Sequence, residues 1–163
     1  MSNPAFQIAD TSQYQVHVLP DTDPLLRTIS QPVTVFNFTL RYIADQMDTA
    51  MTERAGLGLA AVQIGYPVRL ILIKDRDTGT LTFMANPVVT RKLRRDAIER
   101  EGCLSVPPSK WRNIARPAKC EAEWQDLDGK PQSGGFSNWL ARAVMHEVEH
   151  LDGILITDYP DAR

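Results

Sequence analysis

Ser137-Asn138-Trp139-Leu140-Ala141-Arg142-Ala143-Val144-Met145-His146-Glu147-Val148-Glu149-His150-Leu151 is the stretch on which the fold reading turns. Read as a helix, it places Trp139, Ala143, His146 and His150 on one face and Leu140, Val144, Val148 and Leu151 on another. Apolar residues on two faces mark a largely buried helix. Ser137 is the expected N-cap, and Gly153 lies just beyond the end at about Leu151. Two histidines inside a buried helix are costly unless each finds a partner. That partner is either a metal ion or a backbone hydrogen bond.

The spelling His146-Glu147-Val148-Glu149-His150 is an HExxH motif. Its imidazoles sit one turn apart and can reach one metal ion, with Glu147 beside it to take a proton from water. Zinc proteases with this motif take a third ligand downstream, either in HExxHxxGxxH or as a Glu on a later helix. Here Gly153 fits the first spelling, but the next ligand position holds Ile156, and only thirteen residues follow His150. The third ligand is therefore expected upstream, from Cys103, Cys120, His17 or the acids.

Working outward, Thr34–Arg54 reads as a helix through Phe36, Leu40, Ile43, Ala44, Met47 and Met51, with Gly56 after its end. Val68–Ile73 is a continuous apolar β run. Asp75–Gly79 is a turn, and Leu81–Ala85, Pro87–Arg94 and Ala118–Trp124 read as further strands, with a turn at Asp128-Gly129. A helix first, strands in the middle and a helix last indicate an α+β fold.

The chain has 163 residues, 43% apolar content, net charge −2 and two cysteines. That suits one domain with a real core, residues 1–163, with 1–18 expected to be loosely ordered. No Lys/Arg run exceeds two residues, which argues against a nucleic-acid groove or a polybasic membrane patch. No apolar stretch reaches membrane-spanning length. Met1–Asp10 lacks the features of a secretory signal, and two cysteines in unlike contexts make no disulfide framework. A cytoplasmic location is the expectation.

Two further stretches stand out. Ala55-Gly56-Leu57-Gly58-Leu59-Ala60-Ala61-Val62-Gln63-Ile64-Gly65 is not a phosphate loop. On residues alone it reads as a helix C-cap and tight turn, although its glycines permit close backbone approach and Gln63 offers an amide donor. Glu101-Gly102-Cys103-Leu104-Ser105 places a cysteine that is either a small core residue or the missing soft ligand. Thiolate plus two imidazoles would leave an open fourth position, the layout of a catalytic site. Cys120, within an apparent strand, reads as a packing residue.

Gly56-x-Gly58-x-Ala60-Ala61-x-Gln63, Glu101-Gly102-Cys103-Leu104-Ser105 and His146-Glu147-x-x-His150 resemble, in order and spelling, the three motifs of peptide deformylase. Asp23-Pro24-Leu25-Leu26-Arg27 looks like that family's opening strand. The similarity runs from about Leu19 to about Tyr159. The resemblance implies an α+β fold with antiparallel sheets packed around a central HExxH helix and an N-terminal helix; the C-terminal helix usual in the bacterial type is expected to be absent, a departure from the family. It implies removal of the formyl group from N-formyl-methionyl peptides as they leave the ribosome. Cys103, His146 and His150 would hold one divalent ion, Fe(II) in the cell and Zn, Ni or Co in purified protein. Glu147 would be general base and then general acid. The Leu104 backbone N–H and the Gln63 amide would hold the oxyanion. Gly58 would align the peptide as a strand, with Gly102 and Glu101 also beside the substrate. Glu101 would also pair with Arg116. Leu57, Trp139, Arg142 and Ala143 would line the side-chain pocket. A monomer without nucleic-acid or membrane partners is implied, acting in the host cytoplasm if the source is viral. Two other functions fit the motifs less well: the same fold acting on another N-acyl peptide, and a non-catalytic metal-stabilised module.

The chain departs from the family pattern at Glu149, where Asp is usual, and at Met145, where Gln is common. Pro108 also departs, and Lys110-Trp111-Arg112 makes an unusual rim expected to act on peptide preference after methionine.

Overall fold

The computed structural model describes residues 16–163, with backbone alone at 94 and 95. Helix α1 spans Phe38–Glu53. Strands β1 (Gly58–Ala60), β2 (Leu70–Lys74), β3 (Leu81–Glu101), β4 (Arg112–Gln125) and β5 (Pro131–Ser137) follow, and helix α2 spans Trp139–His150. The strands form one antiparallel sheet in the order β1-β2-β3-β4-β5, so β1 is an edge.

The apolar run of β2 reflects burial on both faces. Leu70 and Leu72 pack towards α1, against Ala44, Met47 and Met51. Ile71 and Ile73 point the other way, into a cluster with Ala141, Val144 and Met145 of α2. Alternation along the strand thus separates two cores, and α2 is the helix buried in the second.

Several sequence expectations are corrected. Helix α1 begins at Phe38, because the Asn37 side chain accepts from the Thr39 and Leu40 N–H groups at 3.0 and 3.3 Å. Thr34–Phe36 lie outside it despite the apolar spacing. Leu81–Ala85 and Pro87–Arg94 are parts of one strand that runs on to Glu101. Asn86 joins them at φ 51°, a conformation Asn tolerates, with its amide bonded to Val33 and Gln125. Ser137 does not cap α2: it is still paired with Lys119 in the sheet, and Asn138 turns the chain at φ 54°. Pro24–Arg27 is a 3₁₀ turn capped by Asp23 rather than a strand. The glycine-rich stretch is not only a turn, since Gly58–Ala60 pair with Ile71–Ile73 as β1. The expected loose order of residues 1–18 falls outside the described residues up to 15. Val16 is buried, and Leu19 donates to the Gln63 carbonyl at 2.8 Å.

Candidate active site

Helix α2 carries His146 and His150 one turn apart, and their Nε2 atoms lie 3.2 Å from each other. Cys103 sits in the turn after β3, where the Val106 N–H donates to its carbonyl at 3.1 Å. That turn brings its Sγ to 3.3 Å from His150 Nε2. The three donor atoms lie within 4.8 Å of one another, and all three residues are buried. Electron-pair donors so close together repel unless protons or a cation lie among them, so the set fits one small cation. His146 Nδ1 meets Glu101 Oε2 at 3.0 Å, which leaves Nε2 facing the cluster.

Glu101 is itself held on every side. Arg116 binds it through Nε at 2.5 Å and Nη2 at 3.0 Å, and Arg142 reaches Oε1 at 2.5 Å. Arg142 also donates to the Ile114 and Ala97 carbonyls. Both residues were expected beside the substrate. They do line the cleft, but their polar groups are turned towards each other and the strands. Burial opposes the Glu101 carboxylate, yet His146 and Arg116 hold its pKa at about 2.

Glu147 is 5% exposed, and its Oε2 has no hydrogen-bond partner among the described residues. Burial raises its pKa to about 7, with the His146 charge opposing and the Glu101 charge assisting. His146 is raised well above its ordinary value; burial opposes the charged ring, but the bonds to Cys103 and Glu101 outweigh it. His150 is pushed well below, first by burial and then by the charges of His146 and Arg116. Gly58 lies against Glu147: a Cβ there would stand 2.4 Å from Oε1.

The Gln63 side chain is fixed by the Ala60 N–H, which donates to Oε1 at 2.8 Å. Its Nε2 then points at Cys103 Sγ (3.5 Å) and Ser105 Oγ (3.1 Å). Among the described residues the Leu104 N–H donates no backbone hydrogen bond. A cleft of ≈ 540 Å³ is lined by every site residue named from sequence except His150, which is buried. Trp111, expected only as rim, forms a wall: its indole packs on Gly102, where a Cβ would stand 2.8 Å away, and its Nε1 donates to the Val106 carbonyl. Arg54, Glu99 and Arg100 also line the cleft and were missed; charged residues without a motif carry no sequence signal for such a position.

Residues 15–163 match the family described as polypeptide deformylase. A peptide deformylase of Pelagibacter ubique is 39% identical over 145 residues, covering 87% of this chain and 84% of that protein. One from Brucella suis is 36% identical over 145 residues, covering 87% and 81%. Among solved structures, a peptide deformylase of Synechococcus elongatus in complex with actinonin superposes with a TM-score of 0.86 at 29% identity, covering 100% of this chain and 89% of that one. The Thermotoga maritima enzyme gives 0.83 at 28% identity, covering 89% and 97%. The chain belongs to the polypeptide deformylase family, metalloenzymes that remove the formyl group from nascent peptides.

Proposed function

We propose that Cys103, His146 and His150 hold one divalent metal ion, and that Glu147, Gln63 and the Leu104 N–H carry out formamide hydrolysis beside it. The observation that carries this reading is the buried S/N/N donor set with a buried carboxylate next to it in the chain. When bound, such an ion supplies Lewis-acid polarisation and makes water a nucleophile near neutral pH. Glu147 takes the proton from the attacking water as the new C–O bond forms. It passes that proton to the amine nitrogen as the C–N bond breaks, leaving formate and a free N-terminus. Burial makes the Glu147 carboxyl easier to protonate than an exposed one, which suits a group that first takes and then gives a proton. The Gln63 amide and the Leu104 N–H donate to the developing oxyanion, each contributing about 10²–10³-fold.

The substrate is an N-formyl-methionyl peptide lying in the cleft between β1, an edge strand among the described residues, around Leu57-Gly58, and Gly102. Leu57, Trp139, Arg142 and Ala143, all of which line the cleft, form the side-chain wall. A Met-Ala-Ser-bound peptide deformylase of Acinetobacter baumannii, TM-score 0.81 at 28% identity, supports a peptide in this position. On the same reading Fe(II) is the ion used in the cell, where a thiolate ligand makes the site oxidisable; Ni, Co or Zn replaces it in purified protein. The 1–163 chain acts as a single catalytic domain and a monomer, near the ribosome in the cytoplasm. Among the described residues no helix is long and apolar enough to cross a membrane.

The test is turnover of formyl-Met-Ala-Ser by anaerobically prepared protein loaded with Fe(II) or Ni(II), beside Glu147→Ala and an N-acetyl peptide. Formate release that disappears in the variant and with the acetyl peptide is expected. Stoichiometric metal without turnover would overturn the assignment of these residues.

A further inference from the structure

Behind the donor set lies a run of contacts that the hydrolysis itself does not use. Arg116 stands between two carboxylates. It binds Glu101 through Nε and Nη2, and Glu149 through Nη1 at 2.7 Å and Nη2 at 2.9 Å. The Tyr159 hydroxyl donates to Glu149 Oε1 at 2.7 Å, and its ring lies 5.2 Å from the Arg116 guanidinium carbon. At the other end Glu101 Oε2 meets His146 Nδ1 at 3.0 Å. The two ion pairs are shielded from water: Arg116 and Glu101 side chains are each 4% exposed, and that of Glu149 is 18%.

Tyr159 is fixed in turn by the segment around it. Ile156 is buried with Cys103, Val106 and Ile114. Beyond the tyrosine, the Asn113 N–H of β4 donates to Asp161 Oδ1 at 2.7 Å, and the Ala162 N–H returns to the Asn113 carbonyl at 2.7 Å. The phenol therefore reaches Glu149 from a segment pinned on both sides, not from a free tail.

We propose that Tyr159 is a positioning residue for the His146 imidazole, acting through Glu149, Arg116 and Glu101. The geometry gives each link a physical content. A planar guanidinium that forks onto two carboxylates sets the plane of each. The Glu101 carboxylate accepts a hydrogen bond from the His146 Nδ1–H, and that bond sets both the tautomer and the tilt of the ring whose Nε2 faces the donor cluster. The hydroxyl of Tyr159 and the face of its ring set Glu149 and Arg116 at the far end.

Glu149 is the link at which the chain departs from the usual spelling of the motif. Its oxygens meet Tyr159 and Arg116 together because the side chain is long. Replacing it by Asp withdraws the carboxylate by about one carbon–carbon bond, ~1.5 Å. That is enough to break the join between Tyr159 and Arg116, because all three hydrogen bonds to Glu149, at 2.7, 2.9 and 2.7 Å, are already near optimal length. The effect of Tyr159 on the site should then depend on the identity of residue 149.

The inference rests on His146 being a metal ligand, and the experiment separates the two claims. Apoprotein of the wild type, Tyr159→Phe, Glu149→Asp and the double variant is loaded with Co(II). The visible absorption of the bound ion and its rate of extraction by a chelator are recorded, with kcat and KM beside them. Phenylalanine keeps the ring on Arg116 and removes only the hydroxyl. Each single variant is expected to shift the cobalt bands and to speed extraction about 3- to 10-fold, below the 10–100-fold typical of a direct partner of a ligand. The fall in activity should lie in kcat rather than KM. The double variant should be no worse than Glu149→Asp, because the route is already broken. A Tyr159→Phe protein with wild-type bands and extraction rate, even if it melts earlier, would make the tyrosine merely structural. Effects that simply add would overturn the route through Glu149. A wild-type protein showing no cobalt bands would overturn the ligand assignment and this inference with it.

Discussion

Gly58→Ala tests most directly whether the position of the Glu147 carboxylate limits the reaction. A Cβ built on Gly58 would stand 2.4 Å from Oε1 of Glu147, 3.0 Å from Cδ and 3.1 Å from Cγ. An unstrained carbon–oxygen contact needs roughly 3.3 Å, so Oε1 must retreat by about 0.9 Å. The rest of the carboxyl end is close as well, so rotating one oxygen does not relieve the contact. Glu147 is 5% exposed, so the displaced carboxylate must move within the site it is proposed to serve. Misplacing a catalytic group by about 1 Å costs roughly 10²-fold, about 2.7 kcal/mol of transition-state stabilisation. We expect kcat for formyl-Met-Ala-Ser to fall about 100-fold in Gly58→Ala, with metal content unchanged because the new methyl meets Glu147 rather than a ligand. Formate release and metal analysis on the same preparation give both numbers. A kcat within about threefold of wild type would refute the reasoning. A raised KM with kcat preserved would mean that the methyl obstructs the peptide instead of displacing the carboxylate.

Gln63→Ala removes the amide proposed to hold the oxyanion and leaves the Ala60 N–H, now bonded to Oε1 at 2.8 Å, without its partner. A fall in kcat of about 10²–10³-fold is expected together with a stability loss of about 1–3 kcal/mol, read by steady-state kinetics and thermal melting. Adding a chelator should lower the melting temperature: an ion at a hundred times its dissociation constant stabilises by about 2.7 kcal/mol, roughly 5–10 °C for a chain of this size. An unchanged melting curve would argue against a bound ion that stabilises the fold. Tyr159 predicts a loss at high pH. Burial, and then the hydrogen bond to the Glu149 carboxylate, raise its pKa from 10.0 to about 12, so the folded state favours the neutral phenol. That contribution is complete below pH 10 and disappears as pH rises towards 12, and denaturant titrations should show a steeper decline over this window in wild type than in Tyr159→Phe.

The helix and the β2 run were legible because their signals are local. His146 and His150 share a face through helical spacing, and Leu70–Ile73 is apolar throughout because both of its faces are buried. Elements that depend on partners were not. Pro131–Ser137 contains Pro, Ser and a Gly pair, and it becomes β5 only because β4 supplies hydrogen-bonding partners from Lys119 to Gln125. Gly58–Ala60 is too short for any period to show. The start of α1 was misplaced because apolar spacing runs through Phe36, whereas the Asn37 side chain decides where the helix begins.

By itself the sequence determined the chemistry available: two imidazoles and a carboxylate on one helix, a thiol and an amide in two other motifs, and the family they spell. Covalent geometry makes that reading possible, since residues four apart on a helix must stand together. The spacing of the residues left the third partner of the two imidazoles open, the family resemblance pointed to Cys103, and tertiary structure supplies the contact, with the thiol 3.3 Å from His150, 47 positions away. Tertiary structure alone decided that Arg142 and His146 join the expected Arg116 around Glu101, and that Gly58 leaves room for the Glu147 carboxylate. Those meetings depend on which faces of the sheet and α2 bury each other. Packing between distant segments settles that, and no local spacing encodes it.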